Sequence, residues 1–306
     1  MMAARRLDSA PDMTGIRGRL SAGEPMSRHT SWRVGGPADW FFQPADRDDL
    51  CAFLARLPRD IPVMVLGLGS NLLVRDGGIR GVVVATHKAL SAMRVVDGGL
   101  LYAEAGVACA QAARFANRSG LTGAEFLAGI PGCIGGALAM NAGAFGGETW
   151  SVVDSVDLVD RTGAARTVAA DEFDTGYRFV ALAPDHWFLA ARLALAGGDV
   201  AAARRRIAEL LRRRGDTQPV QSANAGSVFT NPPGDHAARL IESAGLKGLT
   251  VGGARVSDKH ANFIVNTGDA TAADIERLIA LVCSRVAESA GVELTPEVRI
   301  VGEADD

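Results

Sequence analysis

An arginine, a serine and a glutamate stand in settings that could carry chemistry. Arg178, in Tyr177-Arg178 just ahead of a strand-like run, presents a planar fork of N–H donors that can hold a carboxylate through two hydrogen bonds. Ser227 follows a glycine in Asn224-Ala225-Gly226-Ser227-Val228-Phe229-Thr230-Asn231-Pro232, so a substrate could come close to its hydroxyl, with the amide of Asn231 four residues on. Glu297 alternates with Val298 in a strand-like tail. Each has a plain alternative: a salt-bridging surface arginine, a structural Gly-Ser turn, a solvated strand glutamate.

Two glycine-rich stretches suggest what these side chains would work beside. Residues 126–147 run twenty-two positions without a charged side chain and contain seven glycines, ending Met140-Asn141-Ala142-Gly143-Ala144-Phe145-Gly146-Gly147. Glycine costs roughly 1 kcal/mol per residue inside a helix, so the composition predicts loop rather than a buried or membrane helix. Loop backbone stripped of side chains exposes N–H groups, which hold phosphates and the edges of flat heterocycles. A large anionic cofactor is the expected ligand. The second stretch, Gly67-Leu68-Gly69-Ser70-Asn71-Leu72, follows the apolar strand-like run 63–66. It lacks the third glycine of a dinucleotide fingerprint and the Gly-Lys-Ser/Thr of a Walker loop. A phosphate-sized nest between two strands and a tight β-turn without ligand are the readings left.

The elements that must position these residues alternate between strand and helix. Short strands are predicted at 32–34, 40–42, 63–66, 72–74, 81–85, 93–96, 100–105, 155–159, 167–169 and 187–195, with helices from the Asp46 cap to 57 and over 108–119. An Arg-rich helix from Asp199 to Arg214 marks a boundary, and helices at 236–244 and 272–289, a strand at 263–265 and a tail strand at 292–301 follow. Residues 1–27 lack periodicity and read as a loosely ordered lead-in. The fold class is α+β.

Composition narrows the function classes. With 306 residues and 48% hydrophobic content the chain suits two or three domains. A net charge of -3 gives no whole-chain signature for nucleic acid, and the arginines at 204–206 and 212–214 read as a solvated helix face. Cys51, Cys109, Cys133 and Cys283 form no CxxC pair, which disfavours a metal site and predicts reduced, buried thiols. The N-terminus has no apolar signal-peptide core, so a cytoplasmic enzyme without a membrane span is expected.

Taken in order, His29-Thr30-Ser31-Trp32-Arg33-Val34-Gly35-Gly36, the loop at 67–72, Gly129-Ile130-Pro131-Gly132 through Gly143, Tyr177-Arg178, Gly226 to Pro232, His260-Ala261-Asn262-Phe263 and Glu297-Val298 resemble the UDP-N-acetylenolpyruvoylglucosamine reductases, roughly over residues 28–303. The resemblance implies a vanillyl-alcohol-oxidase-type FAD-binding region at 28–197, in two α+β subdomains (28–95 and 96–197, the second joined by tail 292–303), and a separate α+β substrate-binding domain at 204–291. It implies that non-covalent FAD, reduced by NADPH, delivers hydride to the enolpyruvyl ether of UDP-N-acetylglucosamine, giving UDP-N-acetylmuramate for peptidoglycan.

By the same resemblance Arg178 and Glu297 polarise the substrate carboxylate and Ser227 gives a proton to the α-carbon. Glu297 must be protonated or share a proton to help a developing dianion. Gly67, Gly69, Ser70, Asn71, Leu72, Gly129, Ile130, Pro131, Gly132, Gly135, Gly136, Asn141, Ala142, Gly143 and Arg214 would hold the cofactor, and Asn231, His260 and Asn262 the substrate. For His260 a structural role stays equally open. Two departures stand out: Thr230 replaces the family's usual lysine, and Val180 a frequent serine. The chain lacks the insertion of the longer branch. Two rivals are a flavin oxidase of the same superfamily with another substrate, and a nucleotide-binding regulatory module that turns nothing over.

Overall fold

The computed structural model describes residues 9–305 and divides into two compact units. Unit 1 takes residues up to 22 with 40–68 and 81–212; unit 2 takes 23–39, 69–80 and 213 onward.

In unit 1, Asp46 starts the helix Arg47–Arg56 as expected: its carboxylate accepts from the Asp49 N–H, satisfying a donor that the first turn leaves orphaned. That helix lays Leu50, Phe53 and Leu54 against Phe42, Val82 and Val84. Behind it Val63–Leu66 runs parallel to the part of Ile79–Ala85 that lies in unit 1, from Val63↔Val82 to Leu66↔Ala85. A five-stranded antiparallel sheet has the order Ala165–Ala169, Val153–Asp160, His186–Leu193, Leu100–Glu104, Met93–Val96. It shares a core with the helix Cys109–Arg118, through residues such as Leu101, Ala112, Ala116 and Val156.

In unit 2, the helix Ala272–Ala290 is fixed at both ends by its sequence. Thr271 and Asp274 form a reciprocal capping box, and Gly291 closes it in the left-handed conformation. Its apolar stripe, Ile275, Leu278, Ile279, Val282 and Val286, packs with Ala237, Leu240 and Ile241 of the helix Ala237–Ser243. A three-stranded antiparallel sheet, Thr250–Val251, Ala254–Val256 and Ile264–Asn266, completes the layer. Among the described residues no helix is long and apolar enough to cross a membrane.

Several expectations are corrected. The glycine-rich run is not loop throughout: Ile134–Met140 is an α-helix with Ile134 and Leu138 fully buried. Its tertiary packing outweighs its poor propensity, because Gly135 lets the helix approach Ala105; a Cβ at 135 would lie 2.9 Å from the Ala105 Cβ. Trp32-Arg33-Val34 is not a strand. Arg33 has φ 60, which interrupts extended backbone, and the buried Trp32 instead donates its indole N–H to the Ile264 carbonyl at 2.7 Å. The supposed lead-in contains the strand Arg19–Pro25, while its residues 1–8 lie outside the described range. The tail strand shrinks to Arg299–Val301, since Pro296 has no N–H with which to extend a ladder. That strand runs parallel to Leu72–Val74, inside unit 2, rather than joining the sheet of residues 96–197. Cys109 and Cys133 are buried as expected, but Cys51 and Cys283 are only half-buried.

Candidate active site

Unit 1 holds Arg178 and most of the glycine-rich backbone. Thr175–Gly176 pairs antiparallel with Phe179–Val180, so Tyr177 and Arg178 are the two loop residues of a minimal hairpin. Arg178 has φ 57, a conformation uncommon for a residue with a side chain, and its guanidinium donates to the carbonyls of Asn141 and Gly143, both at 3.3 Å. The end of the glycine-rich run thus supports the arginine directly. Within that run Gly135 donates its N–H to the Ala105 carbonyl at 2.9 Å. Ala142 likewise spends its N–H on Ala137 and its carbonyl on Thr149. Gly129 and Ile130 are buried, whereas Pro131 and Gly136 are exposed with open space where a Gly136 side chain would stand.

The two glycine stretches meet in unit 1. A Cβ at Gly67 would lie 3.2 Å from the Cβ of Cys133, and the Leu68 N–H points at the Cys133 sulfur. Burial pushes the Cys133 thiol up to about 12, so it stands neutral beside the loops. An uncharged backbone surface of this kind, open at Gly136, fits a flavin with its diphosphate.

Unit 2 holds residues 69–72 of the shorter glycine loop, and there backbone geometry dictates the residue types. Gly69 has φ 59, and a Cβ on it would come 2.1 Å from the His29 carbonyl oxygen; its own carbonyl accepts from the N–H and hydroxyl of Ser31. Ser70 is half-buried, and Leu72 begins the strand Leu72–Val74. Asn71 donates its side-chain amide to the Glu297 carbonyl at 3.1 Å and accepts the Arg299 N–H on its backbone. Asn71 therefore braces the tail that carries the glutamate.

Ser227 and Glu297, seventy residues apart in sequence, are brought together. The Glu297 N–H donates to the carbonyl of Val228, Ser227's neighbour, at 2.7 Å, and Phe229 bridges to Pro296. Ser227 is half-buried and its hydroxyl has no hydrogen-bond partner among the described residues. Asn262, expected as a substrate ligand, is buried and gives both ends of its amide to Phe229, accepting its N–H at 2.9 Å and donating to its carbonyl at 2.8 Å. Its backbone carbonyl also takes the Val228 N–H. Asn262 is a brace for the serine loop. Asn231 accepts the Ala237 N–H, just inside the start of the helix Ala237–Ser243.

His260 is half-buried, packs edge-on to Phe263 and accepts the Asn262 N–H on Nδ1. Burial, with the charge of Lys247, holds its imidazole below its usual value, so it is neutral at pH 7. Arg214 bonds Gln218, and burial lowers its guanidinium from the usual arginine range. Thr230 turns its hydroxyl to the Thr295 carbonyl. A cavity of ≈ 480 Å³ in unit 2 is lined by Gln218, Ser222, Arg255, Ser257, Lys259 and Thr267 among others. Sequence reading passed over Arg255 and Lys259, because no local pattern sets them apart from the chain's other cations.

Comparison with known proteins places this geometry. Residues 38–169 match the FAD binding domain model, and residues 218–301 match the C-terminal domain of UDP-N-acetylenolpyruvoylglucosamine reductase. The UDP-N-acetylenolpyruvoylglucosamine reductases of Methylococcus capsulatus and Alkalilimnicola ehrlichii are 61% and 58% identical, over 94% of this chain and 95% and 96% of theirs. The crystal structure of the Thermus caldophilus enzyme of that name superposes with a TM-score of 0.79 at 35% identity, covering 93% of this chain and 98% of that one. The chain belongs to the UDP-N-acetylenolpyruvoylglucosamine reductase family of FAD-dependent oxidoreductases.

Proposed function

We propose that the protein reduces the enolpyruvyl ether of UDP-N-acetylglucosamine to UDP-N-acetylmuramate in the cytoplasm, with Arg178, Glu297 and Ser227 as its catalytic side chains. The glycine-rich backbone of residues 67–72 and 129–143 would hold FAD, which once reduced by NADPH would supply hydride for the terminal carbon of the double bond. An enol ether is electron-rich, so the protein's task is to draw charge toward the carboxylate. Arg178 holds that carboxylate, and its fixed fork costs no reorganisation as charge develops. Glu297, carrying or sharing a proton, offsets the second negative charge. Ser227 gives its proton to the α-carbon, which balances the added hydride. A hydroxyl is a weak acid, and it suffices because the carbanion-like carbon it serves is strongly basic.

The observation that carries this reading is the bond from the Glu297 N–H to the Val228 carbonyl, which fixes the glutamate beside the serine loop. The cavity lined by Arg255 and Lys259 also holds Asp258, which pairs with Arg255 at 2.7 Å, so Lys259 is the cation it offers a diphosphate in a protein whose family lysine is Thr230. The test is anaerobic. The purified protein should be yellow, NADPH should bleach it, and the enolpyruvyl substrate should restore the colour. A flavin reoxidised by oxygen but not by that substrate would favour an oxidase of the same superfamily.

A further inference from the structure

We infer that Asn141 is the positioning residue for Arg178, tethering both its hairpin and its guanidinium, rather than a ligand of the cofactor. The inference rests on Arg178 being the carboxylate clamp. Asn141 ends the helix Ile134–Met140 in the left-handed conformation, φ 43 and ψ 50, and is 3% exposed. Its side-chain amide is committed inside the protein. The Nδ2 donates to the Gly176 carbonyl at 3.0 Å and to Glu148 Oε2 at 3.1 Å, and the Oδ1 accepts the Trp150 N–H at 3.1 Å.

Gly176 is the residue that pairs with Phe179 across the two-residue loop holding Arg178. One bond from Asn141 therefore anchors the base of the hairpin. The Asn141 carbonyl, turned outward by the left-handed backbone, accepts from the Arg178 guanidinium at 3.3 Å. A single residue thus ties down both ends of the arginine, its backbone through Gly176 and its head group directly. The left-handed φ of Arg178 itself is of a kind that persists only where neighbours over-determine it. Asn141 supplies that constraint. Asparagine suits the position because it tolerates the left-handed region and carries both a donor and an acceptor.

The test is a double-mutant cycle read by binding to the oxidised, FAD-loaded protein, without turnover. The probes are UDP-N-acetylmuramate, which carries the carboxylate, and UDP-N-acetylglucosamine, which does not. Arg178→Ala should weaken the first about tenfold or more and spare the second. Asn141→Gly, which keeps the left-handed backbone and the carbonyl that meets the guanidinium but removes the side-chain tether to Gly176, should show the same selectivity, with a loss of roughly 5- to 50-fold. The double variant should bind no worse than Arg178→Ala alone, as expected for residues acting as one unit. If Asn141→Gly weakens both probes equally, or its loss multiplies with that of Arg178→Ala, the positioning role is wrong while the clamp stands. If Arg178→Ala fails to discriminate between the probes, the clamp itself is wrong and the inference falls with it. Should Asn141→Gly not fold or not keep flavin, Asn141→Asp takes its place under the same criteria. It keeps the acceptor for Trp150 and loses the donor to Gly176.

Discussion

The backbone N–H of Glu297 donates to the carbonyl of Val228 at 2.7 Å, so the glutamate's position is set by the same loop that carries Ser227. The loop is held in turn by Asn262, whose amide clasps the Phe229 peptide on both sides, and the tail is held by Asn71. Unit 2 therefore presents Glu297 and Ser227, the proposed acid and proton donor, on a scaffold braced by asparagines.

Asn262→Ala should leave the Phe229 N–H and carbonyl buried and unpaired, at about 1–3 kcal/mol for each group left unsatisfied. A lowered urea midpoint together with reduced turnover is expected. Flavin reduction by NADPH should change little, since the loop's role is with the second substrate. Unchanged stability and turnover in this variant would remove Asn262 as the brace.

Arg178→Lys should be costly despite keeping the charge. An ammonium cannot make two parallel bonds to a carboxylate, nor reach both the Asn141 and Gly143 carbonyls in the same plane. We expect kcat/KM for the enolpyruvyl substrate to fall by about 100-fold, equivalent to about 2.7 kcal/mol. Steady-state kinetics within fivefold of the unaltered protein would contradict carboxylate clamping.

How much of this was legible in the sequence depends on what fixes each element. Helices begun by Asp46 and Thr271 are visible because a cap is a local matter between a side chain and the next turn's N–H groups. The helix Ile134–Met140 was hidden, since its stability comes from Ala105, about thirty residues away in the chain, against which Gly135 packs. Ser227, Arg178 and Glu297 stood out by motif, but the bond that joins Glu297 to Val228 spans a sequence separation that no local pattern encodes. For the same reason no local pattern shows that the side-chain amides of Asn141, Asn71 and Asn262 bond the carbonyls of Gly176, Glu297 and Phe229.

Acid should weaken unit 1 through Asp157. Burial pushes this carboxyl up, but hydrogen bonds from Arg192 and Thr167 and the charges of Arg47 and Arg192 more than offset it, leaving it below its ordinary value. Its stabilisation is therefore complete above the unfolded value of about 3.9 and lost as pH falls through the lower folded value. Asp157→Asn should cost about 3 kcal/mol at pH 7, because it strands two arginines. The gap between the two proteins in urea unfolding should narrow as the pH is taken below 4. A gap constant down to pH 2 would contradict this.

Thiol reagents at pH 8 should label Cys51 and Cys283 ahead of Cys133 and Cys109 in the folded protein. Burial raises all four, Cys133 to about 12 and Cys109 further still, so neither of the buried pair offers thiolate. Peptide mapping after brief labelling decides it, and early modification of Cys133 would contradict the burial described.

The most direct test of the catalytic assignment is a single-turnover experiment with Ser227→Ala. The FAD-loaded variant is reduced anaerobically with one equivalent of NADPH, then mixed with the enolpyruvyl ether of UDP-N-acetylglucosamine while flavin absorbance is followed. Bleaching by NADPH should proceed at close to the unaltered rate, because that step needs no proton on the substrate carbon. Product formation should fall by roughly 10²- to 10⁴-fold, the range expected on removing a general acid. Reoxidation and product formation at the unaltered rate would show that the proton comes from elsewhere, and would overturn Ser227 as the donor.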